Sequence, residues 1–149
     1  MRGYLKRDDL TQQVVCDGWY DTGDIGIMDT DGFFAITDRL SRFSKIGGEM
    51  ISHGAVERAL QDALQLDSNS LCVIAIPDER KGEKLCVCHL PLEIDPGKID
   101  EKLKALDLPN LWKPNKINWY PIVTIPLLGS GKIDFRSLKQ QALAATSPQ

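Results

Sequence analysis

The most chemically pointed feature of the chain is a lysine that follows a glycine-rich turn, Gly129-Ser130-Gly131-Lys132. Two glycines remove side chains and permit unusual dihedrals, so such a loop can press Lys132 close to another surface. A compact ammonium on a long stem suits a phosphate or carboxylate oxygen. The bland alternative is an exposed turn ahead of a helix, and these four residues alone favour it. The spacing is not that of a P-loop, because no strand leads straight into a glycine-rich cradle.

Other candidates are individually weaker. In Tyr20-Asp21-Thr22-Gly23-Asp24, the Asp24 carboxylate can accept two hydrogen bonds at once from vicinal hydroxyls, as a ribose presents. Its ordinary alternative is a turn aspartate bonding its own backbone. Arg39 follows Asp38 at a strand end, where a side chain projects from a rigid element; a surface ion pair of little consequence is the alternative. Lys45 lies beside Gly47-Gly48 and by itself is one more solvated charge. His53 and His89 have no partner at ligand or triad spacing, and no Gly-x-Ser-x-Gly elbow appears. No metal site is expected among these residues. The four cysteines, Cys16, Cys72, Cys86 and Cys88, match no zinc or redox spacing. Cys86 and Cys88 would share one face of a strand, and buried reduced thiols are the expectation.

The elements that must position these groups read as a small α+β assembly. Residues 1–40 are expected as strands and tight turns, with Asp24–Met28 and Phe33–Thr37 joined through Asp29-Thr30-Asp31-Gly32. A hairpin is expected from Phe43–Ile46 and Glu49–Ser52 around Gly47-Gly48. Ser52 is placed to cap a helix over about residues 53–65, with Val56, Ala59, Leu60, Ala63 and Leu64 forming one apolar stripe. Strands are expected at 71–76, ended by Pro77-Asp78, and at 84–92. A helix follows at 98–106 with Leu103 and Leu106 as its contacts, then short β segments at 117–120 and 122–125. Asp134 caps a final helix from Phe135 to about Leu143. Helices interleaved with mixed strands give an α+β domain.

Composition is that of a globular chain: 149 residues, 42% apolar and 26% charged, enough to bury a core. A net charge of -3 shows no footprint for nucleic acid. The first residues lack the apolar core of a signal peptide, and no stretch approaches the ~20 apolar residues of a membrane helix. A cytoplasmic compartment is expected, at the inner-membrane face through a parent protein.

The order of motifs resembles the adenylate-forming superfamily, which includes acyl-CoA synthetases, luciferases and peptide-synthetase adenylation domains. Gly3-Tyr4, Gly18 to Asp24 and Asp31-Gly32-Phe33-Phe34 resemble its late core motifs. Asp38-Arg39-Leu40-Ser41 looks like its hinge segment, Lys45 to Glu49 its glycine loop, and Val56-Glu57 the signature that follows. Ile76-Pro77-Asp78 with Gly82-Glu83, and Gly129 to Asp134, complete the series. The chain is most similar to bacterial acyl-acyl carrier protein synthetases, often fused to 2-acylglycerophosphoethanolamine acyltransferases. Where many members carry Pro-x-Glu, this chain has His53 and Ala55, which fits the acyltransferase-linked branch.

The resemblance implies a division of the chain and a set of roles. Residues 1–40 would be the last β-strands of a large N-terminal adenylation domain plus the hinge, 41–145 a small C-terminal lid domain, and 146–149 a disordered tail. Disorder is expected from about Ala142 onward. Asp24 would hold the ribose of ATP and Arg39 the ribose–phosphate side. Lys132 would reach the carboxylate and α-phosphate during adenylation. Ser41 would sit at the hinge, where Asp or Lys is common. After a swing there, Lys45 with Gly47 and Gly48 would replace Lys132 for thioester formation. ATP would enter with Mg2+, held mainly by the large domain. A fatty acid would be the substrate, and the acceptor the phosphopantetheine of acyl carrier protein or CoA. An acyl-CoA synthetase piece and a non-catalytic carrier-docking module are the alternatives. Docking would use two basic groups, one of Arg39, Arg42 and Lys45 and one of Arg80, Lys81 and Lys84, although a simple solvated surface is the favoured reading of the second.

Overall fold

The computed structural model describes residues 1–94 and 96–146. The chain separates into two compact units, Met1–Ser41 and Arg42–Gln149.

The first unit opens on α1 (Asp8–Val14), a helix with no buried residue. Residues 1–40 were expected to hold only strands and turns, so this helix is a correction. Its support is local. Asp8 and Asp9 fill the first turn, where negative charge suits the helix dipole. The Thr11 hydroxyl accepts the Tyr4 N–H at 2.9 Å and donates to the Arg7 carbonyl at 3.0 Å. No apolar stripe marks the segment, so periodicity carries no signal for it.

Strands β1 (Val15–Cys16) and β2 (Trp19–Tyr20) pair across Asp17-Gly18. Both turn residues have positive φ, 51° and 83°, as a two-residue hairpin requires. Strands β3 (Asp24–Met28) and β4 (Phe34–Arg39) form the expected second hairpin, antiparallel, with Asp24 opposite Arg39. The Asp29 carboxylate closes its turn by accepting the N–H groups of Asp31 and Phe33 at 3.0 and 2.8 Å. No described residue of this unit is buried. Trp19, Ile27, Met28, Phe33, Phe34 and Ile36 stay exposed, as two separate two-stranded sheets have nothing to bury them against. Cys16 is exposed too, against the expectation for the cysteines as a group.

The second unit is built on a mixed sheet. A 3-10 turn at Leu40–Arg42 leads into β5 (Phe43–Ile46), which pairs with β6 (Glu49–Ser52). α2 (His53–Leu64) follows, and the Ser52 hydroxyl caps it by accepting the Ala55 N–H at 3.1 Å. β7 (Leu71–Asp78) and β8 (Gly82–His89) are antiparallel, and β9 (Trp119–Pro121) runs parallel to β8 on the far side. The order β7-β8-β9 leaves β7 at an edge. Proline is tolerated on an edge strand, so β7 continues through Pro77 to Asp78 instead of ending at residue 76. α3 (Pro96–Ala105) and α4 (Phe135–Thr146) complete the unit. Residues 122–125, expected as a strand, carry none.

Both faces of the sheet are covered. Leu71, Val73, Leu85 and Val87 pack with Val56, Leu60 and Leu64 of α2 and with Ile99 and Leu103 of α3. Cys72, Ile74, Ile76, Cys86 and Cys88 point the other way, onto Leu138 and Ala142 of α4. Strands buried on two faces read as unbroken apolar runs, which is how 71–76 stands in the sequence. The fold is α+β, as expected. The three thiols in this layer are free. Burial pushes Cys72 up to about 12, while a hydrogen bond to Cys88, and then burial, push Cys86 up.

α4 runs three residues past its expected end, into the segment expected to be disordered; Ala142 in that segment is buried against the sheet, and the Thr146 hydroxyl donates to the Ala142 carbonyl at 2.9 Å. The remainder of that expected tail, 147–149, lies outside the described residues. Among the described residues no helix is long and apolar enough to cross a membrane.

Leu138 has no exposed surface and is the main contact of α4. Leu138→Ala is expected to lower unfolding free energy by about 3 kcal/mol, within the range for truncating a buried leucine, as read by urea denaturation.

Candidate functional site

Lys132 lies at the end of a small hairpin that is closed from below. The Leu128 N–H donates to the Lys132 carbonyl at 2.7 Å, and the Gly131 N–H donates to the Leu128 carbonyl at 2.8 Å. Gly131 has φ of 79°, the left-handed residue that a three-residue hairpin loop places next to its bulge. A Cβ at Gly131 would meet nothing within 4 Å, so dihedral freedom and not space demands glycine there. Leu127 bridges Ile133, and the Asp134 N–H donates to the Pro126 carbonyl at 2.8 Å.

Immediately after the lysine the chain enters α4. The Asp134 carboxylate accepts the N–H groups of Arg136 and Ser137, each at 3.1 Å, and the Ser137 hydroxyl at 2.6 Å. Those bonds hold the Asp134 carboxyl below its usual range. Lys132 is therefore mounted three residues ahead of a capped, core-anchored helix. Its side chain is exposed, and among the described residues its ammonium has no partner.

Lys45 occupies the solvent side of β5, since Ser44 and Ile46 on either side are buried. The following turn uses Gly47 and Gly48, with φ of 58° and 95°. Two consecutive positive values define the tight hairpin that glycine pairs favour. The Gly47 N–H donates to the Lys81 carbonyl at 3.3 Å, and the Lys45 N–H donates to the Glu83 carboxylate at 3.2 Å. Thus the β7–β8 turn supports the glycine hairpin. A groove of about 310 Å³ lies here, lined by Ile46, Leu111, Arg80, Lys81, Lys84 and Lys113 among others, with Asp78 as its carboxylate. Asp78 approaches Lys84 at 4.0 Å.

Asp24 and Arg39 come together in the first unit. Arg39 Nε lies 2.7 Å from Asp24 Oδ1, and Arg39 Nη1 donates to the Thr22 carbonyl at 3.2 Å. The backbone-bonding role open to Asp24 falls to its neighbours instead. Asp21 accepts the Gly23 N–H at 2.8 Å and the Thr22 hydroxyl accepts the Asp24 N–H at 3.1 Å. Asp24 is one-fifth exposed and Arg39 well exposed, so the pair presents a carboxylate with lone pairs to spare beside a guanidinium. Ser41 is exposed at the boundary between the units.

The candidate residues thus fall at three places: Asp24 with Arg39, the Lys45 hairpin, and the Lys132 hairpin. Ile46 of the Lys45 hairpin belongs to the cluster on one face of the sheet, and Ile133 beside Lys132 packs on the cluster of the other. Arg42 departs from its expected place in a basic surface group with Arg39 and Lys45. Its guanidinium is an ion-pair partner of Glu57, 2.5 Å away, with both side chains largely covered.

No family model matches the chain. Among curated proteins it is 32% identical over 150 residues to acetate–CoA ligase CCL3 of Humulus lupulus, covering 95% of this chain and 25% of that protein. It is 33% identical over 141 residues to feruloyl-CoA synthase of Amycolatopsis sp, covering 89% and 27%. Among solved structures it superposes on ATP-bound MatB from Rhodopseudomonas palustris with a TM-score of 0.79 at 18% identity, over 98% of this chain and 29% of that one. The fold is that of the C-terminal domain of adenylate-forming enzymes. The Mycobacterium tuberculosis fatty acyl CoA synthetase is also similar, with a TM-score of 0.64 and 28% identity over 99% of this chain and 28% of that one. The chain spans about a quarter of the length of the curated relatives it matches.

Asp134 tests the mounting of the lysine. Because its pKa is lowered on folding, its stabilising contribution is present above the unfolded carboxylate pKa and is lost as pH falls through the folded value. Asp134→Ala is expected to lower the Tm at pH 7, and the gap from the parent chain should begin to narrow only below about pH 4. A pH series of thermal melts reads both.

Proposed function

We propose that this chain is the mobile C-terminal portion of an ATP-dependent, AMP-forming acid–thiol ligase, delivering Lys132 to the reacting carboxylate and α-phosphate. The observation that carries it is the Lys132 ammonium, without a partner among the described residues, on a glycine-bearing hairpin fixed to a capped helix. Relatives named as acid–CoA ligases along nearly the whole chain support it.

In the first half-reaction a carboxylate oxygen of the acid attacks the α-phosphorus of ATP, and the bond to pyrophosphate breaks. Negative charge gathers on the α-phosphate oxygens as this happens. A fixed cation there stabilises the transition state more than the ground state. Asp24 would accept the ribose hydroxyls, and Arg39 would orient Asp24 while facing the phosphate side. ATP arrives with Mg2+, held mainly by the portion of the ligase outside this chain. In the second half-reaction a thiol sulfur attacks the acyl carbonyl and AMP leaves. Rotation at Ser41 would withdraw Lys132 and bring Lys45 with the Gly47-Gly48 hairpin to the site. Their seats on opposite faces of one sheet suit alternate use, and closing a domain in this way excludes water.

The finer assignment is a fatty acid passed to acyl carrier protein, feeding lysophospholipid acylation, in the cytoplasm at the inner-membrane face. The motif order supports it. CoA as acceptor is the second reading, supported by the names of the relatives. The cationic groove beside the Gly47-Gly48 hairpin suits the phosphate of either acceptor. A carrier-docking surface without catalysis is the weaker alternative, since Arg42 is committed to Glu57. With radiolabelled fatty acid and the complete ligase, label should pass to holo acyl carrier protein faster than to CoA. The reverse order selects CoA.

Lys132→Ala in the complete ligase is expected to lower acyl-adenylate formation about 100-fold or more, with a much smaller effect on thioester formation from preformed acyl-adenylate. Equal losses in both half-reactions would contradict the two-lysine division. This chain by itself is expected to give no ATP–pyrophosphate exchange.

A further inference from the structure

Around Ser41 the two units are each fastened to within one residue of the boundary. On one side the Leu40 N–H donates to the Gly23 carbonyl at 2.8 Å, which ties residue 40 into the first unit. On the other side Arg42 is gripped by three elements of the second. Its Nη2 lies 2.5 Å from Glu57 of α2, its Nη1 donates to the Val73 carbonyl of β7 at 3.0 Å, and its guanidinium sits 4.1 Å over the Phe135 ring of α4.

Glu57 completes the arrangement. Its second oxygen accepts the Val73 N–H at 2.7 Å. The carboxylate and guanidinium therefore satisfy both backbone groups of Val73 on the open edge of β7, as a neighbouring strand would. Only 11% of the Arg42 side chain and 17% of the Glu57 side chain are exposed, so the pair is screened little by solvent. Lysine cannot reproduce this. A planar fork that serves a carboxylate, a carbonyl and an aromatic face together is specific to arginine.

The elements held are the ones that carry the candidate lysines. Phe43, next in the chain, begins β5 with Lys45, and Phe135 begins α4 three residues beyond Lys132. Ser44 is fastened again by a 2.6 Å hydrogen bond to the buried His53 ring. Between the two sets of fastenings stands Ser41, exposed, at the centre of the 3-10 turn Leu40–Arg42.

We propose that Arg42 is a positioning residue that confines the joint to Ser41 and makes both lysine hairpins move as one body. It rests on the two-lysine ligase proposed above. Without the clamp, slack would spread into β5 and the start of α4, and a rotation at the joint would leave both lysines misplaced. Because the clamp serves both poses, its loss is expected to weaken both half-reactions, unlike the loss of Lys132.

Two measurements test this together. In the 149-residue chain, amide hydrogen exchange of Arg42→Met is expected to quicken about 10-fold or more at Phe43, Ser44 and Val73, relative to Val87 in the sheet interior. Uniform quickening, or none, overturns the clamp. In the complete ligase, Arg42→Met should lower kcat of both half-reactions about 10-fold with KM for ATP nearly unchanged, and Arg42→Lys should not restore them. A loss confined to one half-reaction, no loss, or restoration by lysine overturns the positioning role. If Arg42→Lys and Arg42→Met show the local exchange change while Lys132→Ala weakens both half-reactions equally, the clamp stands and the division between lysines falls.

Discussion

Everything in the second unit depends on the pairing of β7 with β8, two strands of eight residues matched without a bulge from Leu71 with His89 to Asp78 with Gly82. Their alternate side chains fill two separate clusters, so the sheet is a shared wall and not a surface. α2, α3 and the Lys45 hairpin are held by one side. α4 and the Lys132 hairpin are held by the other. A sheet buried on both faces deforms little, because close-packed interiors transmit displacement instead of absorbing it. Seated on the two sides of one wall, with Arg42 touching both β7 and α4, the two hairpins are placed to move together. In the proposed ligase, a change in which lysine meets a substrate would come from turning the whole unit.

That constraint explains why the joint matters. The first unit carries the Asp24–Arg39 pair on a hairpin with no buried residue. Its exposed apolar side chains, Trp19, Ile27, Met28, Phe33, Phe34 and Ile36, are a surface that monomeric domains seldom leave open. In the ligase proposed above, polypeptide outside this chain would cover it. In that proposed ligase the lysines would contribute charge, and the remainder of the enzyme the pocket in which that charge counts.

Much of this was legible in the sequence, for reasons that differ by element. The Gly47-Gly48 turn, the Ser52 cap and the Asp134 cap are local decisions between neighbouring residues, and each appears where its residues stand. The α2 stripe is periodic and equally plain, and residues 71–76 read as a buried strand. α1 was missed because it has no apolar face; a threonine hydroxyl and two early aspartates hold it. The length of β7 was underestimated because the tolerance of Pro77 depends on an edge position that only the assembled sheet defines. α4 was cut short because Ala144 and Ala145 are exposed and extend no apolar stripe.

Among the site residues, the glycine hairpins were legible and the clamp was not. Arg42 looks like part of a basic surface cluster with Arg39 and Lys45, since charge spacing along a chain does not reveal a carboxylate fifteen residues on. The pairing of Arg39 with Asp24 likewise needed the β3–β4 register. The central claim is that Lys132 meets the reacting phosphate. A crystal structure of the complete ligase with a non-hydrolysable acyl-adenylate mimic tests it most directly. Lys132 Nζ should lie within about 4 Å of a phosphate or carboxylate oxygen of the mimic in one pose; a lysine remote from the mimic in every pose contradicts the account.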